Sequence, residues 1–240
     1  MIRAEEVIGT IQAAFEREPR VGVHNHQINI EFADGTVTLS GEVDGIAAKK
    51  LALELAAAPS PVSGIVDRLR VQPSERMEDG AIRDHVCDAL LGEPAFDSYS
   101  IRALVKQEME AVRMLDDSKR ILEVEVADGV VTLNGTAESL SHKRLAGVLA
   151  WWVPGSRDVV NGIELSPPME DNDDETRDLL RLVLEKDPMV NASQIRISCR
   201  KRVITLDGVV ASRNSSEAAE SDAWFVFGVD RVINNLEVLA

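Results

Sequence analysis

At 240 residues, 45% apolar and 28% charged, the chain has the composition of a globular protein rather than a disordered or membrane-spanning one. Its apolar runs fall short of the ~20 residues a membrane helix needs, and its opening segment, MIRAEEVIGTIQAAFEREP, has no uninterrupted apolar stretch of the kind a secretory leader carries. A net charge of −15 disfavours nucleic acid and anionic surfaces. Cys87 and Cys199 show no C-x-x-C spacing and read as reduced thiols, so the cytoplasm is the expected location.

The first element is a helix whose apolar residues Val7, Ile11 and Phe15 recur at i, i+4, i+8 before Glu18-Pro19 stops it. A strand follows over Gln27–Phe32, with Ile28, Ile30 and Phe32 alternating. Asp34-Gly35 marks a tight hairpin turn. The octet DGTVTLSG (34–41) then gives a second strand with Val37 and Leu39 on one face and Thr38 on the other. Its closing Gly41 is expected to end the strand, where the backbone bends or a helix comes close. A helix carrying Ala52 and Ala56 at i, i+4 and a final strand ending at Val71 complete the series.

The same series recurs twice. The octet returns as DGVVTLNG (128–135) and KRVITLDG (201–208). Aligned on Gly41, Gly135 and Gly208, the three copies run without a gap for 31 residues. Ala52/Ala146/Ala219 and Ala56/Ala150/Ala223 coincide, as do Asp67/Asn161/Asn234 and Leu69/Ile163/Leu236. Small residues at i and i+4 let each helix sit close on its sheet. Upstream, Ile82, Val86 and Leu90 form the second helical stripe, before Glu93-Pro94, and Leu179, Leu180, Val183 and Leu184 the third, before Asp187-Pro188. The first strands of these copies are Ile121–Val126 and Gln194–Cys199. Copy three has Lys201-Arg202 in place of Asp-Gly, so its turn is expected to be longer or built differently.

Each copy thus reads αββαβ. Its last two strands are joined through a helix and should run parallel, giving a small mixed sheet and an α+β fold. From proline to octet glycine is 22 residues in copy one, 20 in copy three and 41 in copy two, so copy two carries an insertion of roughly twenty. Within 100–115, Ile101, Leu104, Val105, Met109, Val112 and Leu115 fall at helical spacing and an extra helix is expected there; the alternative is that IRALV is a strand. Polar linkers at 72–80 and 166–173 divide the chain into 1–71, 72–165 and 166–240. Copies this short bury limited apolar area and have open sheet edges, so they are expected to pack on one another or in a homo-oligomer, through sheet edges or helix faces.

The octet holds apolar residues, Thr and Gly and reads as scaffold. EDNDDE (170–175) lacks the glycine and glutamate of a calcium loop, with Thr176 and Leu182 in their places, and suits a helix N-terminus instead. His24 and His26 have no third zinc ligand nearby. His85 and Cys87 stand two apart on a helix and face different ways. Asp67, Asn161 and Asn234 read as side chains bonded to nearby backbone. There is no phosphate loop, dinucleotide turn or nucleophilic triad, so no catalytic, cofactor or metal residue is assigned. Trp151, Trp152, Trp224 and Phe225 share repeat positions in the copy-two and copy-three helices and read as packing between copies, or as an amphipathic contact for lipid or a partner. Lys143 and Arg144, earlier on the first of these helices, suit a lipid contact.

DGVVTLNG, the alanine-bearing helix after it and the closing FGVDRVINNLEV (227–238) together resemble the BON domain family, and the three copies cover nearly the whole chain. The resemblance implies αββαβ units without catalytic residues that bind phospholipid or other envelope components, or a protein partner, often in osmotic or other stress. One relative type is associated with potassium, so a cation sensor for potassium or calcium is the alternative expectation; an enzyme with a cryptic site is a third.

Overall fold

The computed structural model describes residues 3–116 and 120–239. The chain divides into two compact units, 1–72 and 73–240. The first holds copy one. Helix α1 (Ala4–Arg17) is followed by a short 3-10 turn at Pro19–Val21, strands β1 (Ile28–Ala33) and β2 (Thr36–Val43), helix α2 (Ile46–Ala57) and strand β3 (Gly64–Val71). β1 pairs antiparallel with β2, and β2 parallel with β3. Val7, Ile11 and Phe15 of α1, Val37 and Leu39 of β2, and Ala52 and Ala56 of α2 fill one core.

The second unit holds copies two and three. Copy two comprises α3 (Asp79–Gly92), β4 (Ser100–Val105), β5 (Glu108–Arg113), β6 (Ile121–Ala127), β7 (Val130–Ala137), α4 (Leu140–Trp151), β8 (Asp158–Asn161) and β9 (Glu164–Leu165). Its sheet runs β5-β4-β6-β7-β8, with β9 also on β7. Copy three comprises α5 (Asp173–Lys186), β10 (Ile195–Arg200), β11 (Val203–Val210), α6 (Arg213–Phe225) and β12 (Arg231–Val238), in a β10-β11-β12 sheet. The mixed αββαβ sheets and every helical stripe are as expected: Ile82, Val86, Leu90, Leu179, Leu180, Val183 and Leu184 are buried. All six alanines of the i, i+4 pairs are fully buried.

Three expectations are corrected. The insertion in copy two is not a helix but the hairpin β4–β5, closed by Lys106 and Gln107, both at positive φ. β4 adds in parallel to β6, and Ile101 and Ala103 alternate into the core, so strand pairing and period-two burial win over the helical spacing of Leu104, Met109 and Val112. Met109 and Val112 stay exposed on the edge strand β5. The turn of copy three is no longer than the others. Lys201 and Arg202 take the positive φ values that Asp-Gly takes in copies one and two, and the Asp173 carboxylate accepts both their backbone N–H groups, at 2.7 and 3.0 Å. Asp79 does the same for Asp128 and Gly129.

The octet glycine does not end its strand; each strand runs on to Val43, Ala137 or Val210. Nor is a helix what demands it. A Cβ would lie 2.5, 1.9 and 2.1 Å from the carbonyl oxygens of Gln27, Ile121 and Gln194 on the hairpin partner, and φ is positive at all three glycines.

The position shared by Asp67, Asn161 and Asn234 works as expected. Each side chain accepts the N–H of the residue two further on, at 3.0, 3.4 and 3.1 Å. The two asparagines also donate back to the preceding helix, to the carbonyls of Lys143 and Ser216. Asp67 cannot donate, and the residue at the matching helix position, Lys49, supplies the charge instead, 3.1 Å away.

Candidate binding site between copies two and three

Within the second unit, α4, α5 and α6 pack together. α4 buries Ala146 and Ala150 and packs on α3 of its own copy as well as on α5 and α6 of copy three. Ser139 caps its N-terminus by accepting the N–H of His142 at 3.2 Å. Asn172 caps α5 and Ser212 caps α6 in the same way. Each cap fixes where its helix begins.

Polar ties cross the junction. Arg144, with no exposed surface, donates from Nε to the Phe227 carbonyl at 2.9 Å and from Nη2 to Asp171 at 2.5 Å; Nη1 finds no partner among the described residues. Ser141 donates its N–H and Oγ to Glu175 at 3.1 and 2.9 Å. Lys186 meets Glu93 at 2.9 Å. Trp151 stacks on Phe225 with centroids 5.2 Å apart and planes 13° apart. Lys143 lies over the exposed Phe227 ring, 4.6 Å from its centroid, and partial burial lowers its pKa.

At the C-terminal ends of the three helices lies a cavity of about 400 Å³, walled by Trp152, Pro188, Ala218 and Phe225, with Lys186, Asp187, Ser221 and Asp222 also lining it. Asp222 is 2% exposed. Its Oδ1 accepts the Trp152 indole N–H at 2.8 Å, while the buried Oδ2 receives no hydrogen bond among the described residues. Burial pushes the Asp222 carboxyl up to about 8, and the neighbouring Asp187 adds to the rise against the lowering bond from Trp152. Asp187 Oδ1 accepts the Met189 N–H at 2.7 Å.

The junction gathers Trp151, Trp152, Phe225, Lys143 and Arg144, whereas Trp224 is buried on α6 with no contact across it among those described. Arg144 and Trp224, fully or nearly buried, are interior groups rather than surface contacts for lipid or partner. Trp151, Trp152, Phe225 and Lys143 are half-buried. Asp187 and Asp222 were missed: an aspartate within a helix, as Asp222 is, gives no sign in sequence that its carboxyl will be buried, and Asp187, at the end of α5, reads only as a helix stop. The acidic run at 170–175 does more than favour a helix end: Asp171 pairs with Arg144, Asn172 caps α5 and Asp173 holds the turn of copy three. Outside the junction, His26 meets Asp44 at 2.9 Å at the surface, and His85 bonds the Ala81 carbonyl. Burial raises both free thiols to about 11, which keeps them protonated. Among the described residues no group of three or more His, Cys, Asp or Glu side chains is placed to hold a metal ion, and no helix is long and apolar enough to cross a membrane.

Three αββαβ copies in series, two of them closed on each other around a cavity, define a tandem-domain protein of the α+β class. The family model described as "BON domain" matches residues 4–73, 100–167 and 172–240, and the chain belongs to that family. The match to copy two begins at β4, beyond α3. The chain is 27% identical over 144 residues to "Osmotically-inducible protein Y" of Escherichia coli (strain K12), which covers 59% of this chain and 63% of that protein's length. Among solved structures it aligns over 100% of both chains with the C-terminal domain of CdsD, described as the structural protein of the type III secretion system of Chlamydia trachomatis, at 14% identity and a TM-score of 0.26. A second CdsD structure from that organism gives 15% identity and a TM-score of 0.25, over 98% of this chain and 92% of that one. Superpositions this loose carry no argument.

Proposed function

We propose that the protein is a non-catalytic binding protein of osmotic stress, built of three BON copies bounded at 1–71, 72–165 and 166–240, that acts in the cytoplasm by engaging a protein partner through its open sheet faces. The observation that carries this is a repeated outer row. Thr38 pairs with exposed Val66, Thr132 with exposed Val160 and Thr205 with exposed Ile233, at one register position in all three copies. Glu31, Glu125 and Ser198 complete the three rows. The helix faces of copies two and three are closed on one another, so the sheet faces are what the fold leaves open to a partner. The net charge of −15 favours a basic protein surface over an anionic bilayer. The family and the name of the Escherichia coli relative support the stress setting, and two free thiols support a reducing compartment.

Phospholipid is the second reading, favoured by the exposed Phe227 ring with Lys143 above it, an apolar and cationic pair of the kind that sits at a bilayer surface. Tryptophan emission during titration with zwitterionic and anionic vesicles separates the two: the protein-partner reading expects no saturating blue shift, and a saturating shift with anionic vesicles replaces it with the lipid reading. The stress role is tested by growth of the host at high osmolarity. Loss of the gene should slow growth there, and a copy carrying Val66→Ser, Val160→Ser and Ile233→Ser should fail to restore it although the protein folds. Full rescue by that copy removes the sheet faces from the function.

A further inference from the structure

The two outer sheet faces of residues 73–240 carry matching rows but opposite charge. On copy two the row is Glu125–Thr132–Val160, and on copy three it is Ser198–Thr205–Ile233. Around these rows the charge inverts between the repeats. Glu123 of copy two stands where copy three has Arg196, and Ala127 where it has Arg200. Asp158, buried in copy two, is replaced by the exposed Arg231. Arg200 and Arg231 flank Val203 across the three strands of copy three. Arg200 acts on Asp173 through its charge, but neither arginine closes an ion pair among the described residues. The acids of that face, Asp207 and Glu237, stand toward its other end, and Asp207 accepts from Asn235 at 3.0 Å. On the copy-two face, Glu123 and Glu125 line a hollow of about 120 Å³ with Leu104, Met109 and Asn134. Glu123 has only a long surface contact to Arg102, at 3.8 Å, and Glu125 forms no ion pair among the described residues. Helices α4, α5 and α6 pack together between the two sheets, so these faces look away from each other and do not meet within one molecule.

We propose that the protein partner of these faces is a second copy of this chain, docked head to tail. The Arg200 and Arg231 end of one molecule's copy-three sheet covers the Glu123 and Glu125 hollow on the next molecule's copy-two sheet. This rests on the reading that the open sheet faces take a protein partner, and it finds the basic surface that reading calls for within the chain itself. Apolar surface accompanies the charge on both sides. Val203 and Ile233 lie beside the arginines, and Leu104 and Met109 beside the glutamates, so docking buries both. Residues two apart on a strand are about 7 Å apart and alternate strands about 10 Å apart, a difference that the long arginine side chains span. An arginine entering the hollow meets two carboxylates there. Like faces do not pair: two copy-three faces would set arginine against arginine, and two copy-two faces glutamate against glutamate. The net charge of −15 opposes the approach of two copies, but physiological salt screens that repulsion beyond about 8 Å, whereas the facing charges act at contact. Two different patches meet, so each docked molecule keeps one free face, and assembly runs past the dimer to a ring or an open chain. A three-stranded face is small for a stable interface, which places the association at high protein concentration.

The test is sedimentation velocity of the full chain at physiological ionic strength, from micromolar to millimolar concentration. The expected result is a sedimentation coefficient that rises with concentration past the value for a dimer. A chain carrying Arg200→Glu and Arg231→Glu, and another carrying Glu123→Lys and Glu125→Lys, should each associate at least about a hundredfold more weakly. Mixed in equal amounts, the two variants should associate again, because each keeps the face the other has lost. Recovery on mixing also shows that both variants fold. A monomer at every concentration, a plateau at the dimer, undiminished association in both variants, or no recovery on mixing would overturn the proposal. The protein-partner reading falls separately, only if the copy carrying the three serines restores growth. A chain that stays monomeric while that copy fails to restore growth overturns self-association alone and assigns the same faces to a different protein.

Discussion

Asp222 shows how one buried residue contributes to the pH response of the second compact unit. In the unfolded chain its carboxyl ionises near its usual value of about 4; in the fold it holds its proton up to about 8. Between these values the folded state binds more protons. The stability contributed by Asp222 is therefore full below pH about 4, is lost as pH rises toward 8, and changes no further above that. Asp222→Asn mimics the protonated form and should raise the melting temperature of residues 73–240 at pH 8 while changing it little at pH 4. A tenfold change in proton affinity on folding corresponds to about 1.4 kcal/mol, so the difference between the two pH values should be easily read by calorimetry. Equal effects at both would mean that Asp222 is ionised in the fold. Gly135 is the opposite case, a residue defined by what it lacks. Gly135→Ala would place Cβ 1.9 Å from the Ile121 carbonyl oxygen at a positive φ, and should cost roughly 2–4 kcal/mol in denaturant unfolding.

Elements explain what could be read in advance. The helices were legible because Val7/Ile11/Phe15 and Ile82/Val86/Leu90 keep one face, and prolines close each segment. The β-α-β half of each copy was legible because three aligned copies fix the spacing. The β4–β5 hairpin was not. Its apolar residues satisfy both periods, and the deciding partner, the free edge of β6, lies in the fold rather than in the local sequence. The site was half legible: the aromatics stood out by rarity, whereas Asp187 and Asp222 gain their character only from the helix ends packed around them. The turn of copy three was hidden for a similar reason, since the carboxylate that holds it, Asp173, is supplied by the start of α5. That turn still places Lys201 at φ 51°, a conformation asparagine tolerates better than lysine. Lys201→Asn should therefore stabilise copy three by about 0.5–1 kcal/mol, seen as a higher denaturant midpoint with an unchanged slope.

On the scale of the whole molecule, the question is what unfolds with what. Residues 1–72 and 73–240 are separate compact units, so calorimetry should resolve two transitions, one for copy one and one for copies two and three together. Arg144 ties the latter pair: it fills space in α4 and reaches the Phe227 carbonyl and Asp171 on the copy-three side. Its removal does not strand a buried anion, because the Asp171 side chain keeps 37% of its surface. The loss is then packing, two hydrogen bonds and whatever cavity remains. Arg144→Ala should lower the stability of the second transition by roughly 2–4 kcal/mol. Arg144→Met keeps most of the volume and removes the guanidinium whose Nη1 is buried without a partner among the described residues, so it should recover much of that loss. Neither variant should move the transition of residues 1–72. If Arg144→Ala lowers both transitions equally, the two compact units share their stability, and Arg144 acts on more than the junction it occupies.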